Sequence, residues 1–379
     1  MNLDSILHGE LAKLEEADLR RTLRATDAMP AGMLNFAAND YLGLSRHPAL
    51  IEAARQATAQ RGTGAGASRL VTGTDTAVLA LEEQLAAWKE KEAALVFSSG
   101  YAAALGTIPA LVGKGDTVVL DKLAHASLID AARLSGATVR TFPHNDMVRL
   151  ETLLAKIAPG KTRILVVTES IFSMDGDAAP LRELAGLKDR HGAWLLVDEA
   201  HATGLHGATG AGLLAEAGLS ARVEIVMGTL SKALGSMGGY IAGSRALIDW
   251  LVNRARSFIY STALPPGVIA ASRAAVDLAR GPEGAALRDR LRGNIAHFHA
   301  GLPGAWKNRA LSSSAIQPLI CGEASAALRL AATLREAGFL IPAIRYPTVP
   351  RHAARLRVTL SAAHAGKDID ALNKALEIA

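Results

Sequence analysis

The stretch VEIVMGTLSKALGSMGGYIAGS, residues 223–244, sets one lysine between two apolar runs. Val223 to Met227 is β-branched and apolar, the texture of a short buried strand, and residues 238–244 read as another. Lys232 therefore falls just past a strand's C-terminal end, on a loop of small and hydroxyl residues that includes Thr229 and Ser231. Open α/β sheets bind their ligands along that edge. A surface lysine on a glycine-rich turn carries the same local signature, so the loop alone decides nothing.

Working outward, the same texture repeats. AALVFS (93–98), TVVLD (117–121), TVRTF (138–142), RILVVTE (163–169) and WLLVDEA (194–200) are strand-like, with helical stretches such as 124–134 and 180–191 between most of them. Near-continuous apolar strands alternating with helices predict an α/β fold with a mostly parallel sheet covered on both faces. Upstream, residues 3–24 carry leucines at mostly helical spacing and close on Arg20, Arg21 and Arg24. A second helix is expected over about 76–90. GTGAGASRLVTG (62–73) is glycine-rich, but the segment before it reads as helix, which excludes a dinucleotide loop and leaves a mobile or closely packed one. From about residue 280 the texture changes to an Arg-rich helix and shorter strands around 314–320 and 355–360. The division expected is an N-terminal helix and arm (1–45), a large α/β domain (46–279) and a smaller α+β domain (280–379).

Composition narrows the classes. Of 379 residues, 50% are hydrophobic and 20% charged, which suits a globular chain with a large core. One cysteine, Cys321, excludes a disulfide framework or a cysteine-rich metal site and reads as a small buried hydrophobe. The net charge of +5 is spread out with few aromatics among the basic residues, so no nucleic-acid partner is expected. No apolar run approaches the ~20 residues of a membrane span, and the opening segment lacks a charged-then-apolar leader pattern, so no membrane and a cytoplasmic location are expected.

The polar residues then fall at strand ends. Ser98, Ser99 and Gly100 follow one strand and open a helical run, where free N–H groups make an anion site. Asp198 and His201 follow another, Glu169 and Ser173 a third, and His125 lies near a helix start. Caps and turns explain each of these singly. Together an amine, a carboxylate, imidazoles and a phosphate cradle are what a pyridoxal 5'-phosphate site requires. A metal site is not expected, because no two histidines show zinc-motif spacing.

NDYLGL (39–44), SSGYAA (98–103), DKLAHASL (121–128), ESIFSMDGD (169–177), VDEAHATG (197–204), TLSKALGSMGG (229–239) and YSTALPP (260–266) resemble the α-oxoamine synthases, pyridoxal phosphate transferases of fold type I, nearly end to end. The resemblance implies a decarboxylative condensation of an amino acid with an acyl thioester. SAIQPLI (314–320), YPTVP (346–350) and RLRVTLSAAH (355–364) are most similar to members that join L-alanine to pimeloyl-CoA or pimeloyl-acyl carrier protein. The glycine-using members differ there.

Position by position, the resemblance implies that Lys232 holds the cofactor covalently and moves the Cα proton, and that Asp198 pairs with the ring nitrogen. It sets His201 and Ser173 near the ring's phenolic oxygen and stacks His125 on the ring, close to substrate. Gly100, Tyr101, Thr229 and Ser231 serve the phosphate side, with Thr262 supplied by the second subunit of a homodimer with shared active sites. Arg20 or Arg21, Asn39, Thr348 and Arg357, in preference to Arg355, bind substrate. Three departures stand out: Ala67 where the family carries glycine, Ala104-Leu105 where many carry asparagine, and Ser231 where glycine is common. None removes a chemical group. A glycine-using relative, an aminotransferase, or a pyridoxal phosphate protein without catalysis are the other readings.

Overall fold

The computed structural model describes residues 2–23, 25, 30, 32–157, 162–307 and 312–378, which leaves Arg24 outside the described residues. The chain clusters into two compact units. One comprises Asn39–Ser173 with Asp177–Arg290; the other comprises Met1–Ala38, Met174–Gly176 and Leu291–Ala379.

The first unit is built on seven strands: β1 (Ala93–Phe97), β2 (Thr117–Asp121), β3 (Thr138–Phe142), β4 (Ile164–Glu169), β5 (Trp194–Asp198), β6 (Ile225–Thr229) and β7 (Gly239–Gly243). They lie in the order β1-β7-β6-β5-β4-β2-β3. The pairs among β2 to β6 are parallel, while β7 runs antiparallel to both β1 and β6. Every residue of β1, β2, β4, β6 and β7 is buried, as expected of strands covered on both faces. Edge strand β3 is instead exposed over its first four residues and carries Arg140, which discourages pairing with another chain.

Side chains alternate across the sheet. Val118, Leu165, Val167 and Leu196 join one core with Ala103, Ile108 and Leu128 from the helices that cover that face. All seven are fully buried, and each large one contributes roughly 1.5–3 kcal/mol.

The helices that matter for the site are α2 (Pro48–Arg61), α3 (Thr76–Trp88), α4 (Gly100–Leu111) and α5 (Ala126–Leu134). Asp75, Ser99 and His125 cap α3, α4 and α5 by accepting backbone N–H bonds at 2.9, 3.0 and 3.2 Å. The glycine-rich loop after α2 proves closely packed at its end: a Cβ on Gly73 would collide with the Ala67 carbonyl and with Ala263.

In the second unit, β8 (Ile316–Gly322) and β10 (Ala354–Thr359) pair antiparallel, with β9 (Ala343–Ile344) on the far side of β10. Leu34–Asn35 forms a short parallel pair with Phe339–Leu340. Helix α1 (Leu3–Glu16) is shorter than the leucine spacing suggested. Asp18 adopts φ +56°, a left-handed turn that ends the helix before Leu19 can join it. Leu3, Ile6, Leu7, Leu11 and Leu14 on α1 are 40–68% exposed. Cys321, expected buried, is half-buried, its thiol 3.4 Å from the Leu319 carbonyl.

One buried ion pair fixes the backbone beside the sheet's ligand edge. Lys89 Nζ, after α3, lies 2.9 Å from Glu199 Oε2 and 2.9 Å from Thr203 Oγ1, and also donates to the Ala211 carbonyl. Glu199 Oε1 accepts the Leu214 N–H at 2.9 Å, and Thr203 Oγ1 meets the Tyr240 hydroxyl at 2.9 Å. Burial pulls the Lys89 ammonium down, but the Glu199 charge more than offsets it and raises the pKa. Breaking such a pair strands a charge, so Lys89→Met is expected to cost about 3–5 kcal/mol. Urea unfolding checks this; Lys89→Met with Glu199→Gln should recover most of the loss.

Candidate functional site

Lys232 sits on the turn that joins β6 to β7. Leu230 N–H donates to Gly238 O, Ser236 N–H to Leu230 O and Gly235 N–H to Lys232 O, each at 2.9 Å. Leu230, Ala233 and Leu234 are 0–2% exposed and anchor the turn, leaving Lys232 half-buried. Gly235 has φ +62°, and a Cβ there would collide with the Ser45 backbone, so the turn lies directly on the NDYLGL segment.

That closeness brings four side chains into line. Lys232 Nζ is 2.8 Å from His201 Nε2, His201 Nδ1 is 2.6 Å from the Tyr41 hydroxyl, and that hydroxyl donates to Asn39 Oδ1 at 3.1 Å. An ammonium only donates and an amide oxygen only accepts. The chain is satisfied head to tail when His201 carries its proton on Nδ1 and Nε2 accepts from Lys232. Tyr41, 1% exposed, looked like an ordinary core aromatic in sequence and gave no sign of this bond.

Two carboxyls lie beside the lysine. Asp198 and Glu169 end neighbouring parallel strands and are partners in register. They are 4% and 2% exposed. Asp198 Oδ1 accepts the Ala200 N–H at 2.8 Å. Burial raises its pKa, while Lys232 and His125 pull it back. Burial and then the Asp198 charge push Glu169 up to about 8.

His125 caps α5 through Nδ1, which also lies 2.8 Å from Ser127 Oγ, and burial lowers its pKa. With Nδ1 accepting a backbone N–H, the neutral ring carries its proton on Nε2. The loop before it is pinned by Asp121, which accepts the N–H groups of Leu123 at 2.8 Å and Asn145 at 2.9 Å. His144 bridges Asp121 Oδ1 at 3.1 Å and Asp177 Oδ2 at 2.8 Å. Burial opposes its charge, but those two bonds win and raise it to about 10. Asp177 closes the turn that carries Ser173, its carbonyl accepting Phe172 N–H at 3.0 Å.

At the head of α4, the first N–H groups, those of Gly100 and Tyr101, have no helical acceptor. The Tyr101 hydroxyl is turned to Asp130 at 2.5 Å, so only its backbone is offered here. Thr229 and Ser231 hydroxyls lie 2.7 Å apart, and Thr229 also donates to Gly238 O at 2.8 Å. A Cβ on Gly239 would strike Ser99 O and Gly100 N, so β7 closes directly against this helix end. Thr262 pairs with Ser68 through an isolated bridge and lines a cavity with Arg61, Ser98 and Ser261.

The remaining expected residues belong to the other unit. Arg20 pairs with Glu15 at 3.1 Å, and Arg21 donates to Thr348 Oγ1 at 3.3 Å. Arg355 and Arg357 are 4% and 5% exposed on one face of β10. Arg355 is engaged by Asp175 and the Met174 carbonyl, whereas Arg357 donates to Thr359 Oγ1 at 3.0 Å.

This donor set fits pyridoxal 5'-phosphate. The open N–H groups of α4 suit a dianion, a buried carboxyl suits a protonated ring nitrogen, and a half-buried amine suits an aldehyde. Glu169 Oε1, buried without a partner, marks polar space left for a ligand. Among the described residues no group of three His, Cys, Asp or Glu could hold a metal, and no helix is long and apolar enough to cross a membrane.

Comparison with known proteins agrees. The aminotransferase class I and II family matches residues 31–376. The 8-amino-7-oxononanoate synthase of Geobacter metallireducens is 53% identical over 332 residues, 88% of this chain and 85% of that protein. That of Geobacter sulfurreducens is 48% identical over 370 residues, 96% and 94% of the two chains. Among solved structures, the serine palmitoyltransferase of S. paucimobilis with bound PLP and myriocin superposes with a TM-score of 0.92 at 28% identity, covering 100% and 98%. An 8-amino-7-oxononanoate synthase from Francisella tularensis gives a TM-score of 0.75 at 29% identity, over 92% and 97%.

Proposed function

The chain belongs to the class I and II aminotransferase family, and from that premise we propose that it is a pyridoxal phosphate-dependent α-oxoamine synthase that makes 8-amino-7-oxononanoate. The substrates are L-alanine and a pimeloyl thioester, and the step belongs to biotin biosynthesis. The observation that carries this reading is the likeness to 8-amino-7-oxononanoate synthases over nearly the whole chain. The Lys232–His201–Tyr41 line beside Asp198 gives it a chemical basis.

When bound, pyridoxal phosphate supplies an aldehyde carbon that takes up an amine and a protonated ring that draws off electrons from the substrate's Cα. Lys232 Nζ is the amine that anchors it and, once released, the base that takes the proton from alanine Cα. His201 Nε2, 2.8 Å away, accepts from that amine and steers it. Asp198 keeps the proton on the ring nitrogen. Alanine Cα then bonds to the acyl carbon, the C–S bond breaks and the thiolate leaves, taking its proton from solvent. The alanine carboxylate departs as carbon dioxide, with His125 near the new carbonyl oxygen, and Lys232 returns a proton to carbon. Gly100, Tyr101, Thr229 and Ser231 hold the phosphate. Ser173 and His201 serve the phenolic oxygen, and Asn39, Arg20 or Arg21, Thr348 and Arg357 bind substrate. Arg357 is preferred to Arg355 on the family resemblance.

A homodimer belongs to the same reading. The exposed leucines of α1 suit an interface, and Thr262 is the residue lent to a second copy. A cytoplasmic location accords with the single cysteine. The test is turnover of the purified protein with pimeloyl-CoA and alanine, glycine or serine, following thiol and carbon dioxide release. Alanine is expected to be preferred by tenfold or more, roughly what one buried methyl contributes. A preference for glycine, or amino transfer to an oxo acid without thioester, overturns the assignment.

A further inference from the structure

We propose that Glu169 is a positioning residue for Asp198: it holds the one proton that these two buried carboxyls share, so that Asp198 alone carries their negative charge. This rests on the cofactor reading only for the task given to Asp198; the protonation stands on the chain itself.

The geometry carries the argument. Glu169 and Asp198 are register partners at the ends of β4 and β5, so their side chains leave the sheet on the same face. Both are all but excluded from solvent. Two adjacent buried carboxylates cannot both ionise without compensating cations. The charged and titratable groups facing Glu169 are Asp198 from β5, Lys232 from the β6–β7 turn and Asp121 from the end of β2, while the turn before α5 meets it through the His125 backbone N–H. Of these, Lys232 is the one standing cation, and of the two aspartates Asp121 is already paired with His144. One positive charge is then left for Asp198 and Glu169 together, so one of the two keeps a proton.

Asp198 is the better seat for the charge. Its Oδ1 takes the Ala200 N–H at 2.8 Å, and Lys232 and His125 both favour its ionised form. Glu169 receives the His125 N–H, but its Oε1 is buried with no hydrogen-bond partner. A charged carboxylate oxygen left so is costlier to bury than the same oxygen of a neutral carboxylic acid. A carboxyl held neutral by its surroundings is a known way to place a hydrogen-bond donor in an active site. Burial and the neighbouring Asp198 charge, which together raise Glu169 to about 8, agree with this.

The experiment is infrared spectroscopy of the full chain, with and without pyridoxal phosphate, carrying 13C-labelled glutamate carboxyls. Surface glutamates are ionised at pH 7, so an isotope-shifted carboxylic acid carbonyl band there reports a buried protonated glutamate. The band is expected in both forms, fades as the pH passes about 8, and is missing in Glu169→Gln. Glu169→Gln, neutral and nearly isosteric, should also bind pyridoxal phosphate within about threefold of the parent, a change of well under 1.4 kcal/mol. No labelled band in the parent at pH 7 overturns the proposal, whether or not the variant folds. A natively folded Glu169→Gln that binds the cofactor tenfold or more weakly overturns it too. Failure of the alanine assay with the band present would sink the functional assignment and leave this one intact.

Discussion

Replacing Lys232 by alanine is expected to lower turnover of L-alanine and pimeloyl-CoA by at least ~10⁴-fold, the upper end of what one proton-transfer group contributes. The substitution removes two things at once, the covalent anchor and the base, so its cost lies beyond that range rather than within it. Its effect should be confined to chemistry. The turn is held by its own backbone bonds and by the buried Leu230, Ala233 and Leu234, all of which the substitution leaves in place. Circular dichroism should be unchanged, while gel filtration strips the yellow colour that borohydride would fix in the parent. Near-normal turnover in Lys232→Ala would refute the assignment of the site.

Asp198→Asn is expected to show the second largest loss, about 10²–10³-fold in turnover, as for removal of one preorganised electrostatic group. Asparagine keeps the shape and can still accept the Ala200 N–H, so the fold has little reason to change. The charge opposite Lys232 and His125 is what disappears. Truncating one member of a buried charge pair costs about 2–5 kcal/mol, so pyridoxal phosphate should also bind more than tenfold more weakly. Equilibrium dialysis measures this. Parent-like binding and turnover would mean that another group, Glu169 foremost, carries the negative charge. The two neighbouring carboxyls are thus expected to respond oppositely to the same amide replacement.

Much of the sheet could be read directly because its strands are rich in β-branched residues, bounded by turn residues and, but for edge strand β3, mostly buried. TVVLD and TVRTF coincide with β2 and β3 at both ends. Strand direction was not legible: the period of GYIAG is the same either way, and only the turn geometry reverses β7. The helix expected over 3–24 ended early because side-chain spacing does not reveal a left-handed Asp18. In the site, Lys232, Asp198, His201 and His125 stood out as chemical types at strand ends, and the structure brings them together. Glu169 stood at a strand end as well, but burial and an orphaned oxygen are three-dimensional facts. Tyr41 was hidden for the opposite reason, since an aromatic in an apolar segment looks like core. The arginines show a further limit: spacing marks them as basic and cannot say which of them Asp175 occupies.

The reversed strand also has a bearing on how the molecule is made. β7 is inserted between β1 and β6, so Ala93 must wait for Gly243 before the sheet is continuous. Contacts so distant along the chain form late, after the local helices and the parallel crossovers. A ribosome-bound chain that has emerged only as far as Asp198 already owns most of the sheet, yet Lys232 and the stretch that seats α4 are still to come. Vitamin capture therefore waits at least until β7 has emerged, so a half-made polypeptide ending at Asp198 lacks the lysine that would hold it.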